Sequence, residues 1–370
     1  MKIGILTYHR AHNYGAVLQA CALKTFLLKQ GHKVELIDYW PIYRKGMYDL
    51  FDFSYLSHRI GIFKKIIRTI KHVILFPEKL IRYRKFVNFI ESNFNINNKN
   101  IFVNGKNVPI GFDVYIFGSD QIWRKNKFNN YNGYDPVYWG RYPINSDVKK
   151  ISYAASMGVM EIDKSEINFI EKHLKNFDLI SVREKKLIEL LQPFSNKKII
   201  EVLDPVFLLK YHDWMAIASQ NIILPKKYLL FYHLVNSKEA TELVNKISER
   251  LRLKIIEIKG WVELIRNPFR CKHTVGPNEF IALFAKASFV VTTSFHGTAF
   301  SIIFKKQFFT LGMRNNADRV KNLLDKLCIS NRYIDDVYDY EDPEDIDYNL
   351  VNSLLNKEIK KSACFLKAIN

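Results

Sequence analysis

The sequence is poor in cysteine, in acidic residues and in long apolar runs. Only four cysteines occur in 370 residues, with no C-x-x-C pair and no histidine at metal-site spacing, so we expect buried thiols rather than a disulfide framework or a metal site. No run of about 18 apolar residues is present, which argues against a membrane-spanning helix. The first residues also lack the pattern of a signal peptide, and we therefore expect a cytoplasmic protein.

Acidic residues are outnumbered by basic ones. The chain has 56 Lys and Arg against 37 Asp and Glu, for a net charge of +19. Such a charge attracts polyanions, anionic membrane surfaces and phosphorylated substrates. No helix-turn-helix, zinc-finger or RNP pattern accompanies it, so we do not expect a nucleic acid partner. The hydrophobic content of 48% is that of a globular protein, and the length favours two domains.

Short apolar strands alternate with helical patterns along most of the chain. Residues 3–38 predict a strand, a polar loop, a helix that ends at Gly31, and a second strand. Further strands are predicted at 113–117, 150–155, 179–182, 201–204, 228–232, 254–258, 289–293 and 307–311. This alternation predicts an α/β protein with parallel sheets, divided near residues 205–225.

Polar residues follow the predicted strands directly, at the edge where open parallel sheets bind ligands. Asp120 comes just after a strand that ends at Phe117, and its carboxylate could activate a hydroxyl as a general base. Gln121 and Trp123 are residue types that contact sugars. The alternative is structural, because Ser119 and Asp120 would also suit a helix N-cap.

The segment Thr292–Phe300 lies between a predicted strand and a predicted helix. Backbone N–H groups at such a helix start can hold an anion, and the hydroxyls of Ser294 and Thr298 add neutral donors. His296 can give or take a proton near neutral pH. A purely structural histidine is the alternative.

Three further groups of polar residues follow strands. Arg183 suits a bidentate grip on carboxylate or phosphate, or a simple ion pair with Glu184. The loop 9–15 leads into a helix N-terminus and suits an anion or a sugar, but it lacks the G-x-G-x-x-G pattern of a dinucleotide site. Arg314 and Arg319 could add cations, although Arg319 also fits a solvated helix. Together these residues suit group transfer on an anionic small molecule.

Five segments, in this order, resemble those of the polysaccharide pyruvyl transferase family. They are His9–Gln19, Gly118–Trp123, Ser181–Glu184, Asp204–Pro205 and Ser294–Gly297. The resemblance implies a GT-B-like fold, with two Rossmann-like domains whose parallel sheets face each other across a cleft. The domains would be 1–210, with a helical insertion at about 41–100, and 211–345, followed by a helix at 346–370 that crosses back to the first domain.

The resemblance also implies an activity. Pyruvate would pass from phosphoenolpyruvate to a hexose of a cell-surface polysaccharide precursor, forming a ketal, with no cofactor and no metal. The acceptor would be lipid-linked or nucleotide-linked. Arg183 and His296 match the family's Arg and the His of its Arg-Leu-His stretch, whereas Ser294 and Phe295 replace that second Arg and the Leu. We therefore look to Arg314 or Arg319 for the missing cation.

These considerations assign the candidate site residues. The catalytic residues would be His296 as acid and Asp120 as base. The donor would contact Arg183, Ser294, Phe295, His296, Gly297, Thr298, Arg314 and Arg319, and the acceptor would contact His9, Arg10, His12, Asn13, Tyr14, Gln121 and Trp123. Two other functions stay open: a GT-B glycosyltransferase with a nucleotide-sugar donor, and a non-catalytic basic protein that binds glycan or lipid.

The region from Arg59 to Lys85 mixes large apolar residues with Lys and Arg, and predicts helices inserted into the first domain. A basic amphipathic helix suits peripheral contact with the inner face of a membrane. The alternative is the solvated face of an inserted helical pair.

Overall fold

The structure is a computed structural model. It describes residues 1–44, 46–48, 50, 61–96, 101–128, 130–141, 148–158, 161–263, 270–311, 317–335 and 344–369. Arg314, together with Arg59 and most of the segment before the long inserted helix, lies outside the described residues.

The first sheet is parallel and six-stranded. Its strands are β1 (Lys2–Leu6), β2 (Lys33–Leu36), β3 (Val114–Phe117), β6 (Lys149–Ala155), β7 (Leu179–Val182) and β8 (Ile199–Glu201), with β4 (Asn126–Phe128) and β5 (Tyr131–Gly133) forming a separate antiparallel hairpin. The strand order is β2-β1-β3-β6-β7-β8. All four residues of β3 are buried, as expected for a central strand covered on both faces.

The second sheet is also parallel. Its strands are β9 (Tyr228–His233), β10 (Lys254–Lys259), β11 (Phe289–Thr292), β12 (Gln307–Leu311) and β13 (Tyr333–Ile334), in the order β10-β9-β11-β12-β13. The sequence prediction of β12 agrees with the structure at both ends. The first sheet ends at Glu201 and the second begins at Tyr228, and the predicted domain ranges themselves stay a prediction.

Helices connect the strands. They are α1 (Tyr14–Lys29), α2 (Ile62–Phe94), α3 (Ile167–Leu174), α4 (Lys185–Leu191), α5 (Tyr211–Ile217), α6 (Lys238–Leu251), α7 (Pro277–Lys286), α8 (Phe295–Ile303), α9 (Ala317–Lys326) and α10 (Tyr348–Lys367). Side chains cap their N-termini where the sequence places Asn, Ser or Asp: Asn13 caps α1 and Ser294 caps α8. No helix of the described residues is long and apolar enough to cross a membrane.

The inserted region contains one helix of 33 residues, α2, rather than the predicted pair. Its second half joins the two halves of the molecule. Arg82 donates to the Tyr14 hydroxyl (2.7 Å) and to the Gly260 carbonyl (3.2 Å), and Lys85 pairs with Glu279 of α7 (2.6 Å). The insertion therefore connects the two sheet units.

The last helix, α10, crosses from the second sheet unit to the first. Tyr348 at its start bonds the Lys306 and Ser301 carbonyls, and Ser362 near its end accepts from the Leu203 backbone N–H (2.9 Å). The two parallel sheets and this return crossing make the fold GT-B-like.

Candidate functional site

A cleft of about 940 Å³ lies at the carboxyl ends of the strands of both sheets. The first sheet's loops supply Asn13, Asp120 and Gln121 to its wall, and the second sheet's loops supply Ser294, Phe295 and His296, with Arg319 from α9. Because both sheets present their carboxyl ends, most of the predicted polar segments meet in this one space.

Two helix N-termini converge in the cleft. The His296 imidazole, in the first turn of α8, lies directly on Gly15 in the first turn of α1, so that a Cβ on Gly15 would come 2.1 Å from its Nδ1. Neither helix has an acidic residue in its first turn. The positive ends of both helix dipoles therefore point at the same region, which favours an anion.

Asp204 is the buried junction between the two halves of the site. Its Oδ2 accepts from Arg183 Nη1 (2.7 Å) and lies 3.6 Å from His296 Nε2 and 3.5 Å from the Ser119 Oγ donor. Burial alone raises the pKa of the Asp204 carboxyl, but His296 and Arg183 beside it hold that pKa well below its usual range. The ionised Asp204 therefore places a negative charge next to the His296 imidazole.

Arg183 was predicted to contact the donor, but its side chain lies behind the residues that line the cleft. Its side chain is only 2% exposed, held by Asp204 and by Glu184 Oε1 (3.3 Å), beneath the Phe295 ring at 5.0 Å. Burial lowers its pKa, but Glu184 and Asp204 outweigh burial and raise it above the ordinary value. The expected ion pair with Glu184 is present, and Arg183 Nη2 has no hydrogen-bond partner among the described residues.

Arg319 is the described arginine that reaches the cleft wall on the donor side. Its guanidinium lies 5.8 Å from the Phe295 ring centre, and its Nε is 3.9 Å from Glu184 Oε1. Burial, and then repulsion from Arg183, lower the pKa of Arg319 to about 10, so it remains a cation at neutral pH. It supplies a positive charge close to the position where Ser294 replaces the family's Arg.

Asp120 lies on the wall of the cleft that the first sheet's loops form. Its backbone has φ 76, a left-handed conformation that Asp tolerates better than most residues. One carboxylate oxygen accepts from the Gln121 N–H (2.8 Å), and the Asp120 carbonyl accepts from the Ser156 N–H (3.0 Å). This turn aims the carboxylate at the cleft, where Gln121 also lies.

An aromatic and basic lobe extends the cleft on the side of the first sheet. It is lined by Tyr8, Arg44, Tyr48, Arg124, Lys125, Phe128 and Tyr134, and also by the acidic residues Glu161, Asp163 and Glu166, of which Glu166 pairs with Lys125. The Arg44 guanidinium lies 3.8 Å from the Tyr8 ring centre and donates to Asn126 Oδ1 (3.3 Å), while its Nε has no hydrogen-bond partner among the described residues. Aromatic faces beside cations suit a sugar that carries an anionic group.

Four of the predicted acceptor contacts in loop 9–15 have structural roles instead, namely those of His9, Arg10, His12 and Tyr14. His9 is fully buried, bonded to the Thr7 carbonyl and to Asp38 (3.0 Å), and Arg10 pairs with the same Asp38 (Nη2–Oδ2 2.5 Å). Tyr14 is fully buried at the junction of the two units, where its hydroxyl donates to the Val275 carbonyl (2.8 Å). These side chains hold the loop and the junction together, which corrects their assignment to the acceptor.

His12 packs among aromatic rings rather than in the cleft lining. Its ring centre lies 5.2 Å from that of Tyr48, 5.1 Å from that of Tyr83 and 5.2 Å from that of Phe86. Burial, and then Arg82, lower the pKa of His12 to about 4. This residue also supports the wall instead of contacting the acceptor, and Asn13 is the member of the loop that lines the cleft.

Trp123 and Thr298 are also corrected. Trp123 is fully buried, stacked on Trp139 at 4.5 Å, and its indole N–H donates to the Tyr138 carbonyl (3.0 Å). Thr298 is fully buried and bonded to Ser294 and Thr310. Gly297 packs on Thr292, where a Cβ would come within 2.1 Å of Oγ1. These residues shape the site from behind.

The sequence assignments missed Asp204 and the residues of the aromatic and basic lobe, among them Arg44. Asp204 was noticed only as part of an Asp-Pro pair, and its acidic type after β8 was the available signal. Arg44 carried no local signal, because it lies in a 3₁₀ turn (Ile42–Arg44) far from any strand end.

Two parallel sheets that face each other across this cleft make the chain a GT-B-like α/β protein. A family model described as polysaccharide pyruvyl transferase matches residues 13–315, which is most of the chain. The chain therefore belongs to the polysaccharide pyruvyl transferase family, as its five sequence segments predict. No curated protein matches it.

The solved structures similar to the chain include UDP-GlcNAc 2-epimerases. The enzyme from Neisseria meningitidis bound to UDP-GlcNAc has a TM-score of 0.46 at 9% identity, over 100% of this chain and 94% of that one. The enzyme from Methanocaldococcus jannaschii in complex with UDP-GlcNAc and UDP has a TM-score of 0.43 at 13% identity, over 100% of both chains.

Proposed function

We propose that the protein transfers pyruvate from phosphoenolpyruvate to a hexose of a cell-surface polysaccharide precursor and forms a cyclic ketal. The single observation that carries this proposal is the meeting of two helix N-termini around His296, which lies 3.6 Å from the ionised Asp204. Such a place binds a small, highly charged anion beside a proton donor.

The donor is held by charge and by helix ends. Phosphoenolpyruvate carries a carboxylate and a phosphate, and the first turns of α1 and α8 offer backbone N–H groups to them. Arg319 contacts the donor directly in this proposal. Arg183 adds positive potential from behind Phe295, and so part of the role of the family's second Arg passes to a residue of α9.

The chemistry begins with proton transfer. His296 gives its proton to the methylene carbon of the donor, and positive charge develops on the neighbouring carbon. Asp120 takes the proton of a sugar hydroxyl, whose oxygen bonds to that carbon. Asp204, whose carboxylate lies 3.6 Å from His296 Nε2, orients the imidazole for this transfer.

The ketal then closes. The bond between the central carbon and the phosphate oxygen breaks, and phosphate leaves with the electron pair. A second hydroxyl of the same hexose attacks that carbon and passes its proton to His296, while Asp120 gives its proton to the departing phosphate, so that both side chains regain their starting protonation states. The products are the pyruvate ketal and phosphate, with no net oxidation or reduction.

The acceptor occupies the aromatic and basic lobe in this proposal. Arg44 and Arg124 would meet the phosphates of a lipid-linked or nucleotide-linked sugar, and Tyr8 and Tyr48 would cover the sugar. A lipid-linked acceptor of this kind would lie at the surface of a membrane. We therefore also propose a cytoplasmic protein that contacts the inner membrane face peripherally.

The test is thermal stability with phosphoenolpyruvate, compared with phosphate, UDP and UDP-sugars. A ligand of the folded state raises the melting temperature by mass action. We expect a shift with phosphoenolpyruvate that phosphate does not reproduce and that Arg319→Ala removes, while the matched surface variant Arg250→Ala keeps it. A shift with UDP-sugars alone, in the absence of turnover with phosphoenolpyruvate, would instead support the glycosyltransferase.

A further inference from the structure

The first half of α2 exposes a row of large apolar side chains. They are Ile62, Phe63, Ile66, Ile67, Ile70, Val73 and Ile74, each between 37% and 78% exposed. Elsewhere in the described chain, exposed apolar residues such as Ile110 and Ile223 are scattered singly, as on most soluble proteins. A contiguous apolar surface on one helix is a different feature and marks an interaction site.

These residues form one face of the helix. At about 100° per residue, all seven fall within roughly 140° of the helix circumference. The cations Lys64, Arg68 and Lys71 fall outside that arc, and all three are exposed. His72 and Phe76 lie on a third side and are partly buried, so the helix turns its apolar face away from the protein.

The second half of the same helix behaves in the opposite way. It buries Arg82, Phe86, Phe89, Ile90 and Phe94, and it joins the two sheet units. The helix is therefore anchored firmly at one end, which holds the apolar face of the other end in a fixed direction.

We propose that the apolar face of the first half of α2 binds the surface of an anionic phospholipid bilayer, with the helix lying in the interface. Charge decides the occupant. Between Ile62 and Pro77 the sequence has four Lys and Arg and no Asp or Glu, and the whole chain carries +19. Anionic headgroups complement this positive charge, whereas a second copy of the chain on the same face would bring together two molecules that each carry +19.

Docking would bring the cleft close to the bilayer. The second half of α2 packs against His12 through Tyr83 and Phe86, and His12 packs on Tyr48 of the cleft wall. If the proposed function holds, a lipid-linked acceptor could reach the aromatic and basic lobe from the membrane plane. The lipid binding itself does not depend on that function.

The experiment is co-sedimentation of the full chain with vesicles of phosphatidylcholine mixed with phosphatidylglycerol, and with vesicles of phosphatidylcholine alone. The test variant is Ile66→Asp/Ile70→Asp, and the matched control is Ile110→Asp/Ile223→Asp, two residues outside α2 that are still more exposed. We expect binding to the mixed vesicles, weakened roughly tenfold or more in the test variant and unchanged in the control. Binding to the mixed vesicles should also weaken when the cations of α2 are removed in Lys64→Gln/Arg68→Gln/Lys71→Gln. It should not weaken in the matched control, Lys226→Gln/Lys227→Gln/Lys286→Gln.

Three results would overturn the proposal: no binding to the mixed vesicles at low salt, equal loss in the control variant, or a dimer in solution that Ile66→Asp/Ile70→Asp converts to monomer. The melting temperature with phosphoenolpyruvate separates this proposal from the proposed function. The test variant should lose vesicle binding and keep the melting-temperature shift with phosphoenolpyruvate. If phosphoenolpyruvate is not the donor, the shift should be absent from the wild type while its vesicle binding remains.

Discussion

The two walls of the cleft are built from different chemistry. The first wall holds full charges, Asp120, Arg183 and Asp204, of which the last two are buried and paired with each other at 2.7 Å. The second wall holds a helix N-terminus capped by Ser294, together with His296 and the Arg319 cation. Neither wall would make the site alone, because Arg183 and Asp204 of the first largely neutralise each other, and the carboxylates beside His296 and Arg319 come from that first wall.

The difference shows where the site is assembled. His296 reaches across to Asp204 at 3.6 Å and rests on Gly15, so the imidazole belongs to one wall and the groups that it contacts belong to the other. The relative placement of the two sheets therefore sets the distances between these groups, and substitutions on either wall should change them.

The largest effect is expected from Asp204→Asn on stability. Removing one partner of a buried ion pair costs roughly 3–5 kcal/mol of unfolding free energy. The folded pKa of Asp204 lies below its unfolded value, so this contribution is fully present above about pH 4 and is lost as pH falls further through the folded pKa. Urea unfolding should show a large difference in unfolding free energy between variant and wild type at neutral pH, and a smaller difference at strongly acid pH.

The exposed pair Lys321–Asp335 is the control for that prediction, since its oxygen and nitrogen lie 2.9 Å apart on the surface. Asp335→Asn should cost no more than about 1 kcal/mol. Equal costs for Asp335→Asn and Asp204→Asn would mean that the buried network does not hold the first wall together.

His296→Ala comes next and breaks the second wall. If His296 is the general acid, turnover of phosphoenolpyruvate should fall roughly 10²-fold or more, with the melting temperature little changed. The surface variant His212→Ala controls for loss of an imidazole, because its side chain is 73% exposed. Near wild-type turnover in a folded His296→Ala protein would remove the acid role.

Gly15→Ala sharpens the comparison without touching a charged group. The new Cβ would meet the His296 ring at 2.1 Å and displace it, while alanine is otherwise the better helix former. We expect turnover to fall about tenfold, a loss of 1.4 kcal/mol in transition-state stabilisation, at nearly unchanged melting temperature. Gly61→Ala, where the added methyl meets open space, should leave turnover alone.

A pH-dependent effect on stability is expected behind the first wall, at His12. Its folded pKa of about 4 lies below the ordinary value of about 6.5, so below pH 6.5 the unfolded chain takes up a proton that the folded protein refuses. Stability is therefore lost as pH falls from about 6.5 towards 4. His12→Phe should lose less melting temperature than wild type on this acidification, whereas His212→Phe should behave as wild type does.

Most strands were predictable because their signals are local. Apolar runs followed by polar residues marked β3, β11 and β12, whereas the strand predicted at 201–204 lies at Ile199–Glu201. The hairpin of β4 and β5 was not predicted, since its residues show no apolar alternation. The single long α2 was predicted as two helices, although Pro77 lies inside it without ending it.

Side-chain roles within the polar segments were less predictable than the segments themselves. Trp123 and Tyr14 belong to residue types that contact sugars, but both are fully buried because neighbouring elements cover them. Arg44, by contrast, enters the cleft from a turn that has no recognisable pattern. Residue type limits what a side chain can bind, while the packing of distant elements decides whether it is exposed.

The sequence by itself determined the α/β class, the membership of the pyruvyl transferase family and the strand ends at which the site lies, because periodicity and short motifs are properties of neighbouring residues. Only the tertiary structure decided that Asp204 meets His296, that Arg183 lies behind Phe295 and that the apolar face of α2 points to solvent. These contacts join residues far apart in the chain, and their distances depend on how the two sheets pack.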